Sequence, residues 1–215
     1  MNQILENKFK NFKIESKSSI NKMRIVFWIS IFAIILFLIF YLFLQYNSWQ
    51  KEKISQNLAS NFNIRNLYIN SENYSSKKLS TLQDENPFVI GLLQIDEIGI
   101  VYPILSSSSE DFLKISPCRF YGPMPNEVGN LCIAGHNYAN QKHFGRLSLL
   151  EKGDSFLIYD LSGNSTTYII YEKTEVNAND TSCINQNTEG RKEVTLITCN
   201  TLKGTRIVIK AKENR

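Results

Sequence analysis

Three side chains in the C-terminal half of this chain have the types and settings that acyl-transfer chemistry uses: Cys199, His136 and Arg206. Cys199 closes the apolar, β-branched run "VTLITC", and a thiol becomes a nucleophile when a base or a cation beside it favours the thiolate. His136 ends another apolar run at a Gly-His-Asn turn, and imidazole is the side chain that exchanges a proton near neutral pH. Arg206 opens the last apolar run; its guanidinium donates hydrogen bonds to an oxyanion or carbonyl but takes up no proton itself. Each has a plainer alternative. A thiol flanked by apolar residues is commonly a small core residue, and a histidine at a strand end is as often a hydrogen-bonded structural group. The other histidine, His143, sits in a polar turn without such a motif and is expected at the surface.

These residues need strands to carry them. Short β-branched and aromatic runs follow one another from Pro87 onward: "FVIGLLQI", "IGIVYPIL", "LCIAGHN", "SFLIYD", "STTYIIYEKTEV", "EVTLITC" and "TRIVIKAK". Arg119 to Tyr121 adds a short pairing segment within a loop dense in Pro and Gly. Leu-Ser-Gly-Asn between two of the runs is a hairpin signal, and Asn200–Gly204 makes a tight connection between the last two. "SSSSEDFLKI" offers a serine N-cap ahead of acidic residues, so a short helical turn is expected there, and another in "FGRLSLL". A polar loop is expected from about residue 177 to 192. Seven or eight strands in about 125 residues, with only short helices, point to a closed or nearly closed β-barrel. Side chains alternate along a strand, so Cys199 shares a face with Ile197 and Thr195, and Arg206 with Val208 and Lys210. Whether those two faces coincide depends on strand pairing.

The rest of the chain has a different character. Ile25 to Leu44 is a run of 20 residues without a charge, proline or glycine. As a helix it would span ~30 Å, the hydrocarbon thickness of a bilayer. It is longer than a signal-peptide core and is followed by no small-residue cleavage site, so it reads as a transmembrane helix rather than a leader or a core helix. Residues 1–24 hold six Lys/Arg and two Glu, and the positive-inside bias therefore puts this basic tail in the cytoplasm and the remainder outside the cell membrane. From Asn86 on, 13 basic and 14 acidic residues nearly cancel, which leaves no basic face for nucleic acid. Residues 45–86, polar and rich in Ser, Asn and Lys with one short helical stretch, read as a stalk leading to a domain over 87–215.

Taken together, "TLITC" (Thr195 to Cys199), "AGHN" (Ala134 to Asn137) and Arg206 in "RIVI" resemble the signature of the sortases, the cysteine transpeptidases of Gram-positive cell surfaces. The resemblance covers about residues 87–212 in the right order. It implies an eight-stranded sortase-type β-barrel, mainly β with short helices, behind one N-terminal transmembrane helix. It also implies cleavage of an LPxTG-like sorting signal between Thr and Gly. A Cys199 thioester would then be passed to an amine of a cell-wall precursor or to a pilin lysine. In that scheme Cys199 is the nucleophile, His136 the acid and then the base, and Arg206 the oxyanion and substrate donor. Thr198 and Asn137 would help bind substrate, and no metal or cofactor is needed. Without a second apolar span or an Asp-Pro-aromatic lid, a class A- or D-like enzyme is favoured over the pilin-polymerising class. "HFGRL" is similar to the B type, which with a different sorting motif is the alternative reading. A non-catalytic, membrane-anchored β-barrel binding module is the other.

Two further groups of residues bear on this expectation. Glu127, Glu172, Glu175 and Asp180 are spaced as in the calcium site of some class A members, although carboxylates on loops are more often simply solvated. Cys118, Cys132 and Cys183 would lie in an oxidising compartment; with Cys199 kept free at least one of the three must be unpaired, and Cys132 reads as core.

Overall fold

A computed structural model describes the backbone of residues 2–69 and 89–215, with side chains over 23–61 and 89–215. The latter part of the expected stalk, 70–86, and residues 87–88 of the first expected strand lie outside the described residues. The chain divides into two compact units, Met1–Gln50 and Lys51–Arg215.

The first unit is helical throughout its described length. Helix α1 runs Asn2–Ile69 and so continues into the second unit. Its stretch from Met23 onward is long and apolar enough to cross a membrane, and none of the apolar window is buried within the chain. Leucines, isoleucines and phenylalanines pointing outward on every side are what a helix solvated by lipid requires.

The second unit is a closed β-barrel. Its strands are β1 (Val89–Ile95), β2 (Ile100–Leu105), β3 (Cys118–Tyr121), β4 (Gly129–Ala134), β5 (Ser155–Asp160), β6 (Ser165–Asn177), β7 (Lys192–Asn200) and β8 (Thr205–Glu213). They close in the order β1-β2-β3-β4-β7-β8-β6-β5. The expected eight-stranded, mainly β architecture is therefore the observed one. The core is aliphatic, with Leu93, Ile104, Ile133, Leu196 and Ile209 fully buried. Phe156 and Tyr168 stack within it at 5.7 Å.

Local chemistry sets the connections. Helix α2 (Glu110–Leu113) starts where expected, capped by the Ser109 hydroxyl, which accepts from the Phe112 N–H. The Leu-Ser-Gly-Asn hairpin is closed by Asp160, whose carboxylate accepts from the N–H groups of Ser162 and Asn164. "FGRLSLL" contributes a 3-10 turn at Leu147–Leu149. The expected polar loop before β7 holds another 3-10 turn, Ser182–Ile184, that its composition did not announce. Within the second unit α1 is not bare spacer: Ser55 and Ala59 are buried, and Ala59 packs with Leu92.

Candidate active site

Strand topology brings the three candidate residues together. β4 and β7 are neighbours and parallel, with Ala134 opposite Ile197. His136 and Cys199 each lie two residues beyond that pair, so they leave the barrel level with each other at the same rim. Several bonds tie the two strand ends. Gly135 N–H donates to the Ile197 carbonyl at 3.0 Å, and Thr198 Oγ1 donates to the Gly135 carbonyl at 2.8 Å. Asn137 Nδ2 donates to the Cys199 carbonyl at 2.7 Å.

Gly135 is required by this close approach. A Cβ there would lie 2.7 Å from the ring of Phe144, which is fully buried. The residue before the histidine thus has to be glycine for the strand end to sit against the core.

The question of faces left open by the alternation is answered by the β7–β8 pairing. Cys199 and Arg206 are direct partners in the antiparallel ladder, so their side chains project from the same face. Arg206 Nη1 lies 3.8 Å from Cys199 Sγ, while its Nε donates to the Ala178 carbonyl at 2.9 Å. That second bond fixes the fork beside the sulfur and leaves the remaining N–H groups for another acceptor. Glu175 braces the connection between the strands, accepting from Thr205 Oγ1, from Lys203 Nζ at 2.9 Å and from Asn200 Nδ2 at 3.1 Å. The Thr205 hydroxyl and then the Lys203 ammonium hold its carboxyl below the ordinary range.

The four thiols separate sharply. All are free, and Cys118, Cys132 and Cys183 are buried whereas Cys199 is exposed. Burial pushes the thiols of Cys118 and Cys132 up to about 12, and that of Cys183 in the same direction. Only Cys199 combines access with a neighbouring cation, the setting a thiol nucleophile needs.

Other sequence expectations meet the structure as follows. Thr198 is 2% exposed with its hydroxyl given to Gly135, and Asn137 spans to the Cys199 carbonyl; both tie strands together at the rim. His143, expected at the surface, is instead buried, because the loop after β4 folds it inward between Tyr102 and Tyr138. The spaced carboxylates are engaged separately: Glu127 accepts from Met124 N, Glu172 from Lys210, and Asp180 from Ser182 N. Among the described residues no three His, Cys, Asp or Glu groups gather to hold a metal. A cleft of about 560 Å3 opens beside Ser106, Arg119, Tyr121 and Gln186 and includes none of Cys199, His136 and Arg206. Sequence reasoning missed the Ala178 carbonyl, a main-chain acceptor that any residue type supplies. It also did not single out Tyr138, whose ring lies 5.1 Å from that of His136.

Comparisons with known proteins agree with this fold. Residues 93–214 match the family model for the sortase domain. Sortase A of Bacillus anthracis is 30% identical over 116 residues, 54% of this chain and 54% of the relative, so the chain spans about half the length of that curated relative. Among solved structures, the sortase D5 transpeptidase of Clostridium perfringens is 28% identical with a TM-score of 0.64, covering 76% of this chain and all of the other. Sortase C of Clostridium perfringens is 25% identical with a TM-score of 0.52, over 59% of this chain and 71% of that one. A barrel of this topology, a matching family model over more than half its length and a thiol, imidazole and guanidinium at one rim make the chain a member of the sortase family.

Proposed function

We propose that this protein is a membrane-anchored cysteine transpeptidase that cleaves an LPxTG-like sorting signal between Thr and Gly and transfers the acyl group to an amine. The observation that carries the reading is the ladder pair Cys199–Arg206, an exposed thiol with a guanidinium at 3.8 Å, on a strand parallel to the one that ends in His136. Similarity to the sortase D5 transpeptidase along its whole length favours a class D-like enzyme.

The chemistry follows from the side chains. The Cys199 thiolate attacks the threonine carbonyl carbon, and the negative charge that moves onto the carbonyl oxygen is met by N–H donors of Arg206. His136, protonated, gives its proton to the glycine nitrogen as the carbon–nitrogen bond breaks, leaving a Cys199 thioester and a free amine. Neutral His136 then takes a proton from the incoming amine as its nitrogen attacks the thioester. The new amide forms and the Cys199 sulfur leaves. Binding an acceptor of higher nucleophilicity than water is what diverts the thioester from hydrolysis. The amine belongs to a cell-wall precursor or a pilin lysine, and the clients are surface proteins bearing the sorting signal. The apolar run Ile25–Leu44 and the basic tail before it support a single-pass anchor with the N-terminus in the cytoplasm and the barrel outside.

The test uses the full chain in detergent micelles with a panel of fluorogenic LPxTG-like peptides, with and without added amines. Thr–Gly cleavage, amine-linked product, and loss of both in Cys199→Ala are the expected results. Cleavage undiminished in Cys199→Ala, or no cleavage of any peptide together with a Cys199 inert to alkylation, would contradict the reading.

A further inference from the structure

The loop after β4 carries a second histidine for which the proposed chemistry has no use. His143 is 2% exposed, its φ is +50°, and its Nδ1 has no hydrogen-bond partner. Gln141, two residues earlier, is also left-handed at φ +66°. A non-glycine residue in that region and an orphaned buried nitrogen are both unfavourable, and they persist only where surrounding contacts over-determine the conformation.

Those contacts form a column of rings. Tyr102 meets His143 edge-on at 5.1 Å, His143 meets Tyr138 edge-on at 5.1 Å, and Tyr138 meets His136 at 5.1 Å with the rings inclined by 51°. Inclined and edge-to-face arrangements are the favourable ones for aromatic quadrupoles. The main chain closes the loop beside the rings: Asn137 forms an antiparallel bridge with His143, and the Phe144 N–H donates to the His136 carbonyl at 3.0 Å. At the far end the Tyr102 hydroxyl accepts from His143 N–H at 3.2 Å and reaches Glu52 Oε1 at 3.5 Å, while Lys142 pairs with Glu52 at 3.3 Å. The charged and titratable groups facing His143 are therefore Glu52, Lys142 and His136, with the two tyrosines. Burial dominates them and lowers the His143 imidazole to about 4, so at neutral pH it is an uncharged ring.

We propose that Tyr138 and His143 are positioning residues for His136: the buried His143 ring, braced by Tyr102, holds Tyr138 against the catalytic imidazole and fixes its orientation toward the Cys199 rim. His136 is otherwise a half-exposed side chain with two rotatable bonds, and proton transfer needs it in one of its rotamers. The inference rests on the reading of His136 as the proton carrier, and the column gives the loop's strained backbone a purpose.

Kinetics of peptide cleavage by the full chain in micelles test it. Tyr138→Leu is expected to lower kcat about 10-fold or more, to leave KM within about threefold and to displace the pH profile of kcat/KM, while Tyr138→Phe stays within about threefold of wild type. A Leu variant with wild-type kcat and profile overturns the proposal, and so does a Phe variant as impaired as Leu, since the hydroxyl and not the ring would then matter. Should Tyr138→Leu fail to fold, His143→Phe decides, because it keeps an uncharged buried ring. Activity within about threefold of wild type supports positioning, and a loss of about 100-fold assigns His143 proton chemistry and overturns it. The rate of Cys199 alkylation by iodoacetamide against pH gives a readout that needs no peptide. An inflection absent in His136→Ala and displaced in Tyr138→Leu is expected; identical profiles in wild type and Tyr138→Leu, or no His136-dependent inflection, contradict the proposal. A wild type that cleaves no peptide, with the alkylation inflection still absent in His136→Ala and displaced in Tyr138→Leu, would sink the transpeptidase reading and leave the positioning role intact.

Discussion

Strand β7 passes two kinds of thiol environment along nine residues. In the barrel wall its Thr195 lies opposite Cys132 of β4, and the Cys183 carbonyl accepts from the Thr195 hydroxyl at 3.4 Å. At the rim its own Cys199 lies opposite Arg206 of β8. The wall thiols are sealed among Ile197 and Val208 and held protonated by burial; the rim thiol has solvent on one side and a guanidinium on the other. Residue type is the same in both places. Reactivity is set by where the strand ends and by what the next strand places across from it.

The largest effect that sharpens this contrast is on activity. Cys199→Ala is expected to lower peptide cleavage by about 10³-fold or more, as loss of a nucleophile does, whereas Cys132→Ala keeps cleavage and costs roughly 1 kcal/mol of stability. Equal losses of activity in the two variants would erase the distinction. Arg206→Gln is next, with kcat down about 100-fold and Cys199 alkylation slowed but not abolished, because in the proposed chemistry the variant removes both the donors to the developing oxyanion and the cation beside a thiol that stays exposed. Arg206→Lys should recover little, since a lysine cannot hold the Ala178 carbonyl and face the substrate oxygen at once. Wild-type turnover in Arg206→Lys would show that charge alone suffices.

The buried histidine extends the comparison to pH. His143 titrates near 6.5 when unfolded and near 4 when folded. As pH falls through that window the unfolded chain takes up a proton that the folded chain refuses, so stability is lost on acidification, by up to roughly 3 kcal/mol. Denaturant midpoints of the second unit at pH 7 and pH 4, followed by tyrosine fluorescence, should separate by less in His143→Phe than in wild type. Equal separations would mean that His143 is accessible to protons in the fold. Gly135→Ala is expected to leave the chemistry in place and cost about 1–3 kcal/mol of stability from pressing a methyl on the buried Phe144 ring. An unchanged midpoint would show that the strand end has room to move.

How far the sequence reached is itself governed by this distinction between local and distant causes. The alternating runs, the Ser109 cap and the Asp160–Asn164 turn were legible because each depends on neighbours in the chain. So were Cys199, His136 and Arg206 as residue types at strand ends. That His136 and Cys199 stand level was not legible: it rests on β4 and β7 being parallel neighbours across 57 residues of intervening chain. His143 was misplaced for the same reason, since the ring that buries it comes from Tyr102 on β2 and its left-handed backbone has no composition signal. The Ala178 carbonyl that orients Arg206 is main chain, and no side-chain pattern announces it.

The central claim is that Cys199 forms a thioester while the wall thiols stay silent. Intact-mass and peptide-level mass spectrometry of the full chain, acid-quenched within seconds of mixing with an LPxTG-like peptide, measures this directly. The account predicts a single acyl adduct ending in threonine, located on Cys199, lost on adding hydroxylamine or an acceptor amine and absent in Cys199→Ala. An adduct on Cys118, Cys132 or Cys183, or cleavage of the peptide with no covalent adduct under any quench, would contradict it.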